Sequence, residues 1–389
     1  MLRDYFVDLH IHVGRNFKNR PVKITASKNL TITNIMKEAS DRKGIDIVGV
    51  IDCHAPAVQT EIKNAISEGE ALELEYGGIR YSNTTLILGA EIEVYDENCK
   101  GPIHVLCYFP YLENMEHFSN WLSQRMKNIE LSSQRYYGSA IELQQKTHEL
   151  GGLFIPAHVF TPFKSLFGKG VNRSLAEVLD PNLIDAIELG LSSDTKMADQ
   201  ISELHSFSYV TNSDAHSLAK IAREYQVMSL EEANFNELKL ALMKSSNRRI
   251  KENFGMNPKL GKYHATVCAN CLSKMEEGKP CPSCDSMKYI KGVSDRIQEL
   301  ASNKQLVKSR PDYTYQVPLE YLPGLGPKTM EILLQHFGTE MNIIHYVPAE
   351  ALIKVVGKKL TEMIISLRAG KVNLSEGGGG KYGRVIKTQ

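Results

Sequence analysis

Residues 5–12 read Tyr5-Phe6-Val7-Asp8-Leu9-His10-Ile11-His12. The apolar, β-forming start predicts a strand over Tyr5–Leu9, and the stretch after it carries two imidazoles two residues apart. Extended backbone points every second side chain the same way, so His10 and His12 share a face and can reach one ion. An apolar strand that ends in metal-ligand residue types is the unit to look for in the rest of the chain.

The unit recurs. Further strands are expected at Ile45–Ile51, Thr85–Val94, Ile103–Tyr108, Gly152–Pro156, Ala186–Leu189 and Ser208–Thr211. The second runs into Ile51-Asp52-Cys53-His54, and the third carries Gly89-Ala90-Glu91-Ile92-Glu93. The fourth opens with Pro102-Ile103-His104, the fifth ends Pro156-Ala157-His158, and the last ends Ser213-Asp214-Ala215-His216. Helices are expected at 33–43, 116–150, 174–179 and 197–204. Strand–helix alternation predicts an α/β body with a parallel sheet, and seven strands favour closure into a distorted barrel with its functional residues at strand ends.

Six imidazoles (His10, His12, His54, His104, His158, His216) and two carboxylates (Glu91, Asp214) are too many for one ion and suit two or three. Imidazole with carboxylate fits zinc, manganese or iron, and the carboxylate-rich positions also admit Mg²⁺. A water on such an ion is acidified, and neighbouring ions stabilise the attacking and leaving oxygens of a phosphoester. The other six His residues (His117, His148, His205, His264, His336, His345) are read as hydrogen-bonded structural groups, with His264 notable for its nearness to a Cys cluster.

The order of these motifs resembles the PHP (polymerase and histidinol phosphatase) family over about residues 1–250. The resemblance implies a distorted (β/α)7 barrel that hydrolyses phosphoesters. It implies one ion on His10, His12, Glu91 and Asp214, a second on Glu91, His104 and His158, and a third using His54 and His216. Many members place an Asp shortly after the His-x-His pair. This chain reads Val13-Gly14-Arg15-Asn16-Phe17-Lys18 there, so the third site should be built differently. Asp52 and Asp194 are the candidate catalytic carboxylates; Asp194 reads equally well as the cap of the helix that follows it.

Behind residue 254 the texture changes. Residues 1–254 carry 27 Lys+Arg against 33 Asp+Glu, and residues 255–389 carry 19 against 12. An acidic body suits cations and a basic tail suits a polyanion. Cys268-x-x-Cys271 and Cys281-x-x-Cys284 form a four-thiolate signal for a structural Zn²⁺. Cys53, Cys99 and Cys107 read as reduced structural residues. Leu322-Pro323-Gly324-Leu325-Gly326-Pro327-Lys328 resembles a helix–hairpin–helix turn that offers backbone N–H groups to a DNA phosphate. Val356-Gly357-Lys358 resembles its looser second copy. Gly324, Gly326, Lys328, Gly357 and Lys358 are the expected DNA contacts. Gly377–Gly380 with Lys381, Tyr382 and Arg384 could add to them. Phe163, Phe167, Lys164 and Lys169, in the loop after His158, are candidates for contacts with DNA or with a pocket around a flipped base, and the phenylalanines read equally well as packing of the barrel rim.

The expected organisation is a phosphoesterase barrel at 1–254, a zinc module at 263–290, a helical arm at 291–312, a tandem helix–hairpin–helix domain at 313–372 and a Gly-rich tail at 373–389. In this order the parts resemble the endonuclease Q family of DNA repair enzymes. That resemblance implies cutting of single- or double-stranded DNA on the 5′ side of uracil, hypoxanthine, xanthine or an abasic site, leaving 3′-hydroxyl and 5′-phosphate. The alternatives are a phosphatase for a small phosphomonoester and a non-catalytic DNA-binding scaffold. No run of 18 apolar residues predicts a membrane span, and the first residues are too polar for a cleaved signal. A cytoplasmic, nucleoid-associated monomer is expected. A sliding clamp is a candidate partner, although no convincing short clamp-binding motif is present.

Overall fold

The computed structural model describes residues 1–261, 263–302 and 310–371, together with the backbone of Leu374–Ser375 and Arg384–Val385. Residues 377–383, and the side chain of Arg384, lie outside the described residues. All seven expected strands form, as β1 (Arg3–Ile11), β2 (Ile47–Val50), β3 (Thr84–Val94), β4 (Ile103–Phe109), β5 (Leu153–Pro156), β6 (Ile187–Glu188) and β7 (Tyr209–Val210).

They close into a ring of mixed rather than parallel sense. β1, β2 and β3 are parallel neighbours, as are β6 and β7. β4 runs antiparallel to both β3 and β5, because only a short loop joins β3 to β4 and such a connection reverses the chain. Backbone bonds from Asp185 N to Phe154 O and from Val159 N to Glu188 O, each 3.0 Å, join β5 to β6. The last seam, from β7 to β1, is closed by a bridge between Ile11 and Ala215 and by side-chain amides. Asn212 Oδ1 accepts Leu9 N–H at 2.9 Å. Gln226 donates to Val7 O and accepts from Thr211 N. These amides supply hydrogen-bond partners that the strands at the seam lack.

Val7, Leu9, Ile47, Ile51, Ile87, Leu106, Tyr108, Ile155 and Val210 form one apolar cluster, a plug drawn from nearly every ring strand. A second, larger cluster lies between the ring and its covering elements. Strict alternation along β1 would turn His10 away from the side of Val7 and Leu9. The pairing of β1 with β2 shifts register between Asp8 and Ile11, and this one-residue irregularity brings His10 and His12 onto the inner row above the plug.

Beyond the ring, β8 (Tyr225–Leu230) and β9 (Arg249–Gly255) continue the sheet antiparallel from β1, and β10 (Asp312–Tyr315) adds in parallel to β9. The start of the expected 313–372 unit is therefore part of the body's sheet. The helix expected over 116–150 is two helices, Leu112–Ser123 and Ala140–Glu149. Between them Asn128 Oδ1 accepts Glu130 N, Ser133 takes a left-handed φ of 53°, and Ser139 caps the second helix. These short polar side chains bond the local backbone and compete with helix continuation.

The four-cysteine segment pairs Val267–Cys268 with Tyr289–Ile290. Of the expected arm, Val293–Leu300 is helical. The C-terminal unit contains helices Pro327–Phe337, Glu340–His345 and Ala349–Arg368, the last broken at Gly357, whose φ is 74° and ψ 168°. No helix among the described residues is long and apolar enough to cross a membrane.

Candidate metal centre

Six of the eight expected ligands meet at one mouth of the ring. His10, His12 and Asp214 form one three-residue group of ligand atoms, and Glu91, His104 and His158 form another. His10 Nε2 and His12 Nε2 lie 3.5 and 3.6 Å from Asp214 Oδ1, and 3.7 and 3.6 Å from the two oxygens of Glu91. Those separations are too long for hydrogen bonds, and the ring nitrogens are buried with no hydrogen-bond partner. Around an ion with ligand bonds of about 2.1 Å, tetrahedral neighbours sit about 3.4 Å apart. Buried lone pairs at that spacing fit a cation. Glu91 lies between the groups, with Oε1 2.8 Å from His104 Nδ1 and 3.3 Å from His158 Nε2.

The imidazoles are oriented from behind. Glu188 Oε1 and Oε2 lie 2.9 and 3.1 Å from His10 Nδ1. Asp52 Oδ2 lies 3.1 Å from His12 Nδ1 and also accepts Val13 N–H at 2.7 Å. A carboxylate on Nδ1 keeps the proton there and aims the Nε2 lone pair into the cluster. Glu188 has two further jobs, accepting His158 N and Asn212 Nδ2 at 2.8 Å each. It was missed from sequence, although it ends a strand as the ligands do.

The field of the site favours cations. Burial alone would lower His10, but Glu188 and Asp214 outweigh it and raise the group to about 10. The same carboxylate field that holds a proton on that imidazole would hold a metal ion. Burial, with Lys23 adding to it, lowers His12 to about 4 against the pull of Asp52, so its lone pair is free at neutral pH. Burial would raise Glu91 and Asp214. His104 and Lys23 bring Glu91 well below the usual range, and His10 and His216 do so for Asp214.

The remaining candidates behave differently. His216 Nε2 faces Asp214 Oδ1 at 3.4 Å, and its ring stands edge-on to His12. His54 turns Nε2 to Leu131 O at 3.3 Å. Two expectations need correcting. Asp52 is buried behind His12 and orients it, so it is not placed to meet a substrate. Asp194 caps the helix Thr195–Ala198 through Met197 N at 2.8 Å, and its other oxygen accepts Tyr315 OH at 2.7 Å. Both its oxygens serve the fold. Phe167 is buried against Phe160 and packs the rim, whereas Phe163, Lys164 and Lys169 are exposed. Lys164 pairs with Glu93 at 2.7 Å.

Cys268, Cys271, Cys281 and Cys284 bring their sulfurs together, with 3.6 Å from Cys268 to Cys284 and 3.4 Å from Cys271 to Cys281. This is far beyond a disulfide bond of about 2.05 Å and close to the edge of about 3.8 Å in a tetrahedral zinc–thiolate site. Asn270 N and Ser283 N each donate to the first sulfur of their pair, which gives both loops the same knuckle shape.

No protein-family model matches the chain. It is 51% identical over 385 residues to the uncharacterized protein YqxK of Bacillus subtilis, covering 99% of this chain and all of that one. The crystal structure of PfuEndoQ, a lesion-specific endonuclease from Pyrococcus furiosus, matches with a TM-score of 0.85 at 31% identity, over 98% of this chain and 95% of that one. A structure of endonuclease Q with a 27-mer duplex carrying an abasic lesion at its active site matches with the same score at 30% identity, over 100% and 97%. Full-length similarity in both sequence and course of the chain shows that this protein belongs to the endonuclease Q family.

Proposed function

We propose that the protein is a metal-dependent DNA endonuclease that cuts the phosphodiester on the 5′ side of an abasic site or a deaminated base. The observation that carries the reading is the set of buried imidazole nitrogens without hydrogen-bond partners, which share a mouth with Glu91 and Asp214. In this reading His10, His12, Asp214 and Glu91 hold one ion, and Glu91, His104 and His158 hold a second. Such ions supply Lewis-acid charge to a phosphodiester and acidify an attacking water. The protein's own contribution is to fix the ligands: Glu188 and Asp52 set the imidazole tautomers, and Glu91 spans the two groups. The four cysteines would hold a structural Zn²⁺ between a catalytic body and a DNA grip.

The grip is supported by the hairpin glycines. Gly324, Gly326 and Gly357 each face open space, so nothing obstructs approach to the backbone there. Gly326 is the N-cap of Pro327–Phe337, and Lys328 and Lys358 are exposed beside the turns. A helix N-terminus with free N–H groups and an adjacent ammonium suits a phosphate and carries no sequence preference. Exposed Phe163 and Lys164 at the mouth are candidates for contact with the lesion strand.

The full chain should be incubated with duplexes carrying one abasic site, uracil, hypoxanthine or xanthine, in Mg²⁺ or Mn²⁺. A single cut 5′ of the lesion with 3′-hydroxyl and 5′-phosphate ends is expected, and an undamaged duplex should stay intact. His10→Ala should abolish cutting while binding of the lesion duplex persists. Turnover of a phosphomonoester with every duplex left whole would overturn the proposal.

A further inference from the structure

We infer that Tyr95, Arg135 and Tyr137 form a stacking site on the rim of the ring for one unpaired nucleotide of a bound strand. Its base would lie against an exposed tyrosine ring and its phosphate at the Arg135 guanidinium. This contact rests on the reading of the protein as a DNA endonuclease and extends its DNA surface. Two segments bring the three side chains together. β3 carries Glu91 and ends at Val94, so Tyr95 is the first residue beyond it. The segment 132–137 rises beside that strand from the metal centre. Ser132 reaches His12, Ser133 reaches Glu91, and Arg135–Tyr136 pairs in parallel with Glu93–Val94. Tyr136 turns inward and stacks on Trp121, with ring centroids 5.3 Å apart, while Arg135 and Tyr137 on either side of it are exposed. Four residues of extended chain, about 13 Å, separate Tyr95 from Glu91, within reach of a strand lying across the mouth.

The Arg135 guanidinium lies over both rings, 4.9 Å from the centroid of Tyr95 and 5.2 Å from that of Tyr137. One of its amino groups donates to Tyr95 O at 2.7 Å, which fixes the side chain without neutralising it. Arg135 has no carboxylate partner among the described residues. Asp96 beside it is committed to backbone, with Oδ1 accepting Asn98 N at 2.9 Å and Oδ2 accepting Ala140 N at 2.8 Å. Glu97, the other acid on this wall, is exposed and screened by salt. The tyrosines are 39% and 49% exposed, and a hollow of about 590 Å³ opens between residues 95–99 and 135–138. Rings that served only packing would be covered, and a guanidinium that served only the fold would have a carboxylate. Exposed rings beside an uncompensated cation suit an unstacked base and its phosphate, whatever the base. A base inside a duplex offers no free face, so the site favours unpaired nucleotides.

The test is fluorescence anisotropy of the full-length protein with an undamaged single strand of mixed sequence, and with the same strand fully paired. Tyr95→Ala/Tyr137→Ala should weaken single-strand binding by about 10–100-fold and duplex binding far less. Tyr95→Phe/Tyr137→Phe, which keeps both rings, should bind as the parent does. Metal affinity, read by competition with a fluorescent chelator, should be the same in all three proteins. Metal affinity lost together with strand binding would mean that the stack only props Ser132 and Ser133, and would overturn the inference. Equal losses on single strand and duplex would overturn it too. Unchanged single-strand binding would overturn it and leave the endonuclease reading standing, whereas an unaltered chain that binds no DNA would overturn both. A selective loss in a protein that cuts no lesion duplex would support the inference and count against the endonuclease reading alone. Should the double alanine variant fail to fold, Tyr137→Ala by itself decides, with a loss of about 10-fold expected on the single strand.

Discussion

At the scale of single residues, the site is organised by groups that touch imidazole from behind. Glu188 engages His10, His158 N and Asn212 at once, so it ties the ends of β1, β5 and β6 to the loop after β7. Glu188→Gln should weaken metal binding by about 10–100-fold. Competition with a fluorescent chelator reads this directly, and unchanged affinity would remove Glu188 from the site. Glu224 offers a separate probe of burial. Desolvation raises its carboxyl from 4.5 to about 8, and Oε2 is buried without a hydrogen-bond partner. Between those values the folded chain keeps a proton that the unfolded chain has released, so stability falls as pH rises through that window. Glu224→Gln should therefore gain on the parent between pH 5 and 8, by on the order of a few kcal/mol. Parallel urea midpoints at both pH values would contradict this.

Residues were also where sequence reading was least complete. The ligand-type side chains were legible because each stands at the end of an apolar run. Glu188 stands at such an end too, but one carboxylate in Ile187-Glu188-Leu189 carries no distinguishing spacing. Asp194 could be read as a cap or a catalytic group, and only the position of Tyr315, far along the chain, decides in favour of the cap.

At the scale of elements, two short motifs carried nearly all their geometry in sequence. The Cys-x-x-Cys pairs form matching knuckles, with Leu272 and Asp285 in the left-handed region directly after each. In the C-terminal unit, Gly357 interrupts Ala349–Arg368 at a φ of 74°, which a side chain adopts only at a cost. Gly357→Ala should lose about 1–3 kcal/mol of stability. Affinity for damaged and undamaged duplex should fall together, because a backbone contact reads no base. Fluorescence anisotropy on both duplexes checks this; a loss confined to the lesion duplex would exclude the phosphate role. The helix expected over 116–150 is divided for a physical reason. Its polar middle is withdrawn from helix so that Ser132 and Ser133 reach His12 and Glu91.

At the scale of the molecule, the C-terminal unit is fastened to the body rather than tethered to it. β10 extends the body's sheet, Arg42 pairs with Glu331 at 2.6 Å, and the buried Lys43 pairs with Glu340 at 2.8 Å. His345 packs against Phe6 and Phe254 and lies 2.7 Å from Tyr225 OH. Removing one partner of a buried ion pair strands the other charge. Lys43→Ala should therefore cost about 3–5 kcal/mol. Hydrogen exchange should show the loss at Glu340–His345 before it shows at the metal centre, and uniform exchange would argue against a separate docking contact. A fastened unit keeps Gly324, Gly326 and Gly357 at a set distance from the mouth of the ring.

The sequence alone determined the seven ring strands, the residue types at their ends and the four-cysteine cluster. Those features are written in local periods and spacings of a few residues, and short-range backbone geometry is enough to read them. Tertiary structure decided the mixed sense of the sheet, its closure through Asn212 and Gln226, the register shift that turns His10 and His12 inward, and the arrival of Lys23 at Glu91. Each of these joins residues distant along the chain, or depends on how neighbouring strands pair. Which groups meet there is settled by packing and by pairing buried polar atoms, and no local window of sequence contains both partners.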